Sequence, residues 1–150
     1  KWFMDTNGSR YILNKGGTIS DTFTGLMWQE SYSYPENGVY LNWFNSWDYV
    51  AELNKSKLGG HEDWRLPTRL EIQSIYEIER TFESRGRIYK LHIDTLFEFS
   101  YGSCYWTIHT RLSAALGFEF DLGELCWYPQ AGECGSVRAV RQSMKSKVLI

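Results

Sequence analysis

The sequence predicts an α+β domain, with short N-terminal strands, two middle helices packed on a small antiparallel sheet, and a C-terminal β meander. Three observations carry that prediction. Thr68 is followed three positions later by Glu71 at the head of an apolar periodic stretch, a capping-box signature for a helix start. Residues 116–122 alternate Leu116, Phe118, Phe120 and Leu122 with Gly117, Glu119 and Asp121, the period of a half-buried strand. Near the start, apolar runs are cut by the turn signals Asn7-Gly8 and Gly16-Gly17.

Tyr11-Ile12-Leu13 and Thr18-Ile19-Ser20 read as strands around Gly16-Gly17, and Leu26 to Gln29 as a third after Thr24-Gly25. Residues 31–40 read as a loop. Residues 42–54 read as a helix capped by Asn42, with Trp43, Trp47, Val50 and Ala51 on one face, and Gly59-Gly60 stops its extension. Pro67 keeps Leu66 out of helix, and 68–78 follow as a helix whose core face is Leu70, Ile72, Ile75, Tyr76 and Ile78. Residues 79–100, with Arg80, Arg85, Arg87 and Lys90, read as a long solvated excursion with a helical turn near Thr95. Strands then follow at 105–108, 116–122, 125–128 and 137–140, with Arg138 and Arg141 flanking Ala139 and Val140 on the last. The 129–133 stretch is a connecting turn.

Length and composition bound the function. The 150 residues make one domain over 1–150, 43% hydrophobic and 23% charged, large enough for its own core. Lys1 is not an initiator, so the chain reads as a mature protein or an excised domain. No apolar run approaches the roughly 18 residues of a membrane helix, so membrane insertion is not expected. Net charge is −2, spread as −1 over residues 1–60, −2 over 61–100 and +1 over 101–150. Nucleic-acid binding, which wants a basic field, is not expected either. The departure from the ordinary is aromatic: 7 Trp, 10 Tyr and 8 Phe make 17% of the chain. Most Trp fall inside periodic elements and suit a core. Exposed aromatics beside polar residues suit sugar faces or protein hot spots.

Motifs for catalysis are lacking. His61, His92 and His109 are far apart, with no HxxxH or HExxH pair, and no GxSxG, GxxxxGK[ST] or GxGxxG run occurs. Cys104 and His109 imitate a nucleophile–base pair, without a third group to orient them. Glu119, Asp121, Glu124 and Glu133 lack EF-hand spacing, and outward faces of half-buried strands account for them. The expectation is therefore no metal, no cofactor and no enzymatic activity. Of the three cysteines, Cys126 and Cys134 flank the 129–133 turn. On a hairpin centred near Gln130 they face each other, making them the candidate disulfide, with Cys104 left free.

Residues 61–72, HEDWRLPTRLEI, resemble the G-x-x-D-W-R-L-P-x-x-x-E-L signature of the Lcl C-terminal domain family, named from a bacterial collagen-like adhesin. Gly17 to Asp21 with Thr24 to Trp28 resembles the family's GTVxDxxTGLMW opening. Trp47 to Asn54 resembles its first helix and Val137 to Arg141 its VRCVR ending, so the resemblance spans about residues 10–142. Asp63, Trp64, Arg65, Leu66, Pro67, Thr68 and Glu71 form a fold-making corner: Asp63 and Arg65 can pair or cap while the indole packs inward and Thr68 caps the next helix. Many members look positioned to bridge the first helix and last strand with cysteines. Here those positions hold Val50 and Ala139, an apolar contact in place of a bridge. Either the protein lives in a reducing place, or another disulfide substitutes.

The resemblance implies a C-type-lectin-like fold related to that of the formylglycine-generating enzyme, with termini together and a ligand face on the C-terminal meander. It implies a non-catalytic binding or adhesion module, secreted or on a bacterial or phage surface, whose partner is a glycan or cell-surface protein. The EPN, QPD and WND tripeptides of calcium-dependent lectins are absent. The aromatic-rich 101–135 region is then the display surface, with Tyr101, Tyr105, His109, Arg111, Trp127, Tyr128 and Gln130 as candidate contacts. Trp127 and Tyr128 are adjacent on a strand and point to opposite faces, so one of them is on the ligand side. Three alternatives stand beside this reading. They are a retroelement-diversified receptor-binding protein, a structural or homo-oligomerising domain of a larger surface protein, and a copper-dependent oxidase using Cys126 and Cys134.

Overall fold

A computed structural model of the chain describes residues 10–90, 92–99 and 104–144. It is α+β. A first sheet is built from β1 (Tyr11–Asn14), β2 (Thr18–Asp21), β3 (Leu26–Gln29) and, from the far end of the chain, β10 (Val140–Gln142), all antiparallel in that order. Between β3 and the second sheet come α1 (Ser33–Asn37), α2 (Trp43–Ser56), α3 (Arg69–Ser74) and the hairpin β4 (Thr81–Ser84) with β5 (Arg87–Lys90). The second sheet holds β6 (Cys104–Arg111), β7 (Ala114–Glu119), β8 (Glu124–Pro129) and β9 (Gly135–Ser136) in the order β8-β7-β6-β9. Its first three members are an antiparallel meander, whereas β9 runs parallel to β6.

Packing follows from the alternation along the meander. Tyr105 lies opposite Phe118, and both enter one cluster with Ile19, Trp28, Ile72 and Ile75. Trp106 lies opposite Gly117 and enters a second cluster with Val50, Leu53, Trp64 and Ala139. Both faces of the meander are thus covered at its Cys104 end, by α3 and the first sheet on one side and α2 on the other. Val50 and Ala139 share the second cluster.

The corner motif is built as the sequence indicates at Thr68. The Thr68 Oγ1 accepts from the Glu71 amide at 3.1 Å, and Glu71 Oε1 accepts from the Thr68 amide at 2.8 Å. Trp64 is buried, its indole N–H donating to the Leu58 carbonyl at 2.9 Å. Asp63 and Arg65 do not pair with each other. Asp63 accepts from Arg141 at 2.6 Å, while Arg65 forms a bidentate pair with Glu71 at 2.7 and 2.9 Å. Arg65 also exchanges backbone hydrogen bonds with Val140. The motif therefore welds the start of α3 to the last strand.

Several elements differ from the sequence reading. The 31–40 loop contains α1, which tolerates Pro35 because it falls in the first turn. On α2 the Asn42 cap forms, its side chain accepting from the Asn45 amide, but the buried positions are Ser46, Val50 and Leu53 and Ala51 is exposed. That helix ends at Lys57, in the left-handed conformation at φ 57°, before the two glycines. α3 ends after six residues; Leu70 within it is exposed, and so is Ile78 beyond its end. The 79–100 excursion contains β4 and β5, and Arg80 is paired with Glu77 and Asp94 rather than solvated. β7 stops at Glu119, so Leu122 is exposed in the following turn.

The expected last strand at 137–140 is a crossing between sheets. Arg138 within it is fully buried, its Nη1 donating to the carbonyls of Gln29, Glu30 and Ser31 and its Nη2 to that of Glu98. The guanidinium also stacks against Tyr32, Phe97 and Tyr105.

Candidate functional site

The seven sequence-derived contacts separate into three groups. Tyr101 lies outside the described residues. Tyr105 is 1% exposed among Tyr32, Phe99 and Phe120, so it is a core residue and not a ligand contact. Tyr128 is held inward: its ring packs edge-on to Trp106 and its hydroxyl donates to the Glu119 carboxylate. Burial, with that hydrogen bond, raises its pKa above the ordinary tyrosine range. Tyr105 is committed to the first cluster, and the half-buried Tyr128 packs against the second on the face opposite Trp127.

The remaining four gather at the far end of the meander. The β6 strand carries an irregularity between Trp106 and Thr110, where three of its residues stand against the single residue Leu116. Beyond it β6 and β7 close through a tight turn whose tip is Leu112, 96% exposed and left-handed at φ 53°. A bulky residue is uncommon in that conformation. The Arg111 guanidinium lies over the Trp127 ring, 4.4 Å from its centroid, and Trp127 is 38% exposed. The adjacent residues Trp127 and Tyr128 do point to opposite faces, and Trp127 is the outward one.

Gln130 holds this tip in place. Its side-chain amide donates to the carbonyls of Leu112 and Ala114, each at 3.0 Å, and its backbone amide donates to Ser113. With its N–H groups turned onto the turn backbone, it acts as a clamp on the tip. His109 is bound to the corner motif: its Nε2 accepts from the Arg69 amide at 3.1 Å. Partial burial, then the Arg69 charge, lower its pKa, which keeps the imidazole neutral and able to accept.

The site that emerges is an exposed ridge of Arg111, Leu112 and Trp127, with His109 linking it to Arg69. Arg69 and Leu112 were not among the sequence-derived candidates. The signal for Leu112 is an apolar residue at the tip of a polar turn, Arg111-Leu112-Ser113. Chemically, a guanidinium stacked on an indole offers N–H donors at its edges and an apolar face beside it. That suits a hydroxyl- or carboxylate-bearing ligand with an apolar patch.

Other candidates gain no such convergence. An open recess along α2 is lined by Leu41, Asn45, Asp48, Tyr49 and Glu52, where the Tyr49 hydroxyl accepts from Gln29 Nε2. Among the described residues no group of three or more His, Cys, Asp or Glu side chains is placed to hold a metal ion. No helix among them is long and apolar enough to cross a membrane. The hairpin expected to set Cys126 against Cys134 is not formed. β8 and β9 lie on opposite edges of the second sheet, three strand spacings or about 14 Å apart, well beyond the roughly 7 Å reach of a disulfide.

In comparison with known families, residues 17–141 match the Lcl C-terminal domain, from just before β2 to within β10. No curated protein matches the chain.

Proposed function

The chain belongs to the Lcl C-terminal domain family, and from that premise we propose that it is a non-catalytic binding module that recognises a glycan or protein at a bacterial or phage surface. The observation that carries this reading is the exposed Arg111–Trp127 stack at the open end of the meander. Exposed aromatic and arginine side chains are the residue types that dominate binding hot spots. Trp127 supplies the stacking face, Arg111 the donors, and Leu112 an apolar rim, while Gln130 and His109 position the ridge. A C-type-lectin-like arrangement is part of the proposal. Strands from both ends of the described chain share the first sheet, and the meander carries the outward face, as that fold would have them. Placement outside the cell, either secreted or on the surface, belongs to the same reading.

The experiment is a glycan array probed with the purified domain in calcium and again in EDTA. Binding that is the same in both, and lost in Trp127→Ala, supports the proposal. Binding that disappears in EDTA would move the site to the carboxylates Glu119, Asp121, Glu124 and Glu133. An array without hits directs the search to protein partners and, by sedimentation, to self-association.

A further inference from the structure

Cys104 opens β6 and stands opposite Gly135 in the parallel pairing with β9, which makes Cys134 its diagonal neighbour. Strand spacing places such a pair of Cα atoms about 6 Å apart, inside the range of roughly 4.4–6.8 Å that disulfides span. The Cys104 thiol donates to the Cys134 carbonyl, with sulfur and oxygen 3.8 Å apart. Cys134 enters β9 from an irregular turn that brings its side chain to the same buried cluster as Cys104. Gly117 makes room for this contact, because a Cβ there would stand 2.8 Å from the Cys104 sulfur. Cys126 is excluded, since β7 separates β8 from β6 and two strand spacings amount to about 9–10 Å.

We propose that Cys104 and Cys134 form the disulfide of this domain in an oxidising environment, and that Cys126 remains a free thiol. This inference is independent of the ligand-binding reading. The reaction is thiol–disulfide exchange with a low-molecular-weight disulfide. The thiolate of half-buried Cys134 attacks one sulfur of oxidised glutathione and expels one glutathione thiolate. Buried Cys104, deprotonated, then attacks the Cys134 sulfur of the mixed disulfide and expels the second. One S–S bond breaks and one forms, and the two protein protons end on the two released glutathiones. Burial raises both thiol pKa values, so the exchange accelerates as pH rises above neutral. The bond ties β9 to β6 and encloses the 105–133 segment that carries the ridge.

The test incubates wild type and Cys126→Ser with oxidised glutathione at pH 8.5, counts free thiols, and maps non-reduced tryptic peptides. The expected thiol count falls from three to one in wild type and from two to none in Cys126→Ser. In that variant, residues 91–111 and 112–138 are recovered as one linked species, within a single chain. The melting temperature of the oxidised protein rises and returns on reduction. An unchanged thiol count, a cross-link that includes Cys126 in wild type, or a cross-link between chains would each overturn the assignment. Because wild type and Cys126→Ser keep the pair intact, the result does not depend on a variant of the buried thiol folding.

Discussion

Replacing Glu71 with Gln separates two roles that one carboxylate plays. In the native corner Glu71 accepts from the Thr68 amide and from both terminal nitrogens of Arg65. A glutamine oxygen can keep the amide bond of the capping box but not the bidentate ion pair. Charge-assisted hydrogen bonds are worth about 1.5–3 kcal/mol when removed. The Arg65 side chain is 34% exposed, so water re-solvates part of it and favours the lower half, about 2 kcal/mol. For a chain of this length that corresponds to a drop in melting temperature of roughly 4–8 °C. Glu71→Ala also removes the cap and loses about 1 kcal/mol more.

The pH dependence supplies an independent check. Burial opposes ionisation of Glu71, but the Arg65 and Thr68 hydrogen bonds outweigh it, and its pKa lies below the usual glutamate value. A depressed folded pKa means stability fully present above the unfolded value and lost as pH falls through the folded one. The gap between wild type and Glu71→Gln, measured by urea denaturation, is therefore constant near neutrality and closes in acid. A gap smaller than about 0.5 kcal/mol, within the range of ordinary surface substitutions, or one that persists unchanged in acid, would refute the assignment of the ion pair.

Three further outcomes follow from named contacts. Gly135→Ala puts a Cβ 2.3 Å from the Trp106 indole nitrogen, which donates to the Leu41 carbonyl, and thermal melting should show a loss of about 2–3 kcal/mol or more. Asp63→Asn breaks the pair with Arg141, but Asp63 is 62% exposed, so a urea melt should register no more than about 1 kcal/mol, shrinking further in high salt. His109 should titrate by NMR below the ordinary histidine value, its neutral form favoured by burial and Arg69. Arg69→Gln should move that midpoint upward, and a midpoint unaffected by the change would remove Arg69 as a cause.

Local signals were legible and non-local ones were not. The Asn42 and Thr68 caps, and the strands at Tyr11, Thr18 and Leu26, depend on neighbours within a few residues, and they appear in the structure as read. The β4–β5 hairpin was hidden because its turn is Arg85-Gly86, both at positive φ, instead of the Asn-Gly or Asp-Gly that marks such turns. Arg138 looked like a strand flank because nothing near it in sequence shows that carbonyls of residues 29–31 and 98 converge on its guanidinium. The hairpin expected around Gln130 is absent for a related reason. A turn after β8 suggests a hairpin, but the chain passes across the sheet to run parallel to β6. At the ridge, Arg111 and Trp127 were found from residue type, while the inward packing of Tyr105 and Tyr128 depended on which faces the two clusters cover, and the clamp made by Gln130 depended on the turn backbone brought beside it.

The central claim is that the outward Arg111–Trp127 stack binds the ligand. Its most direct measurement is the affinity of Trp127→Ala and Arg111→Ala for a ligand identified on the array, with circular dichroism confirming that both variants are folded. The account predicts at least a tenfold loss for each, about 1.4 kcal/mol, with the fold retained. Native affinity in both variants would contradict it and place the binding surface elsewhere on the domain.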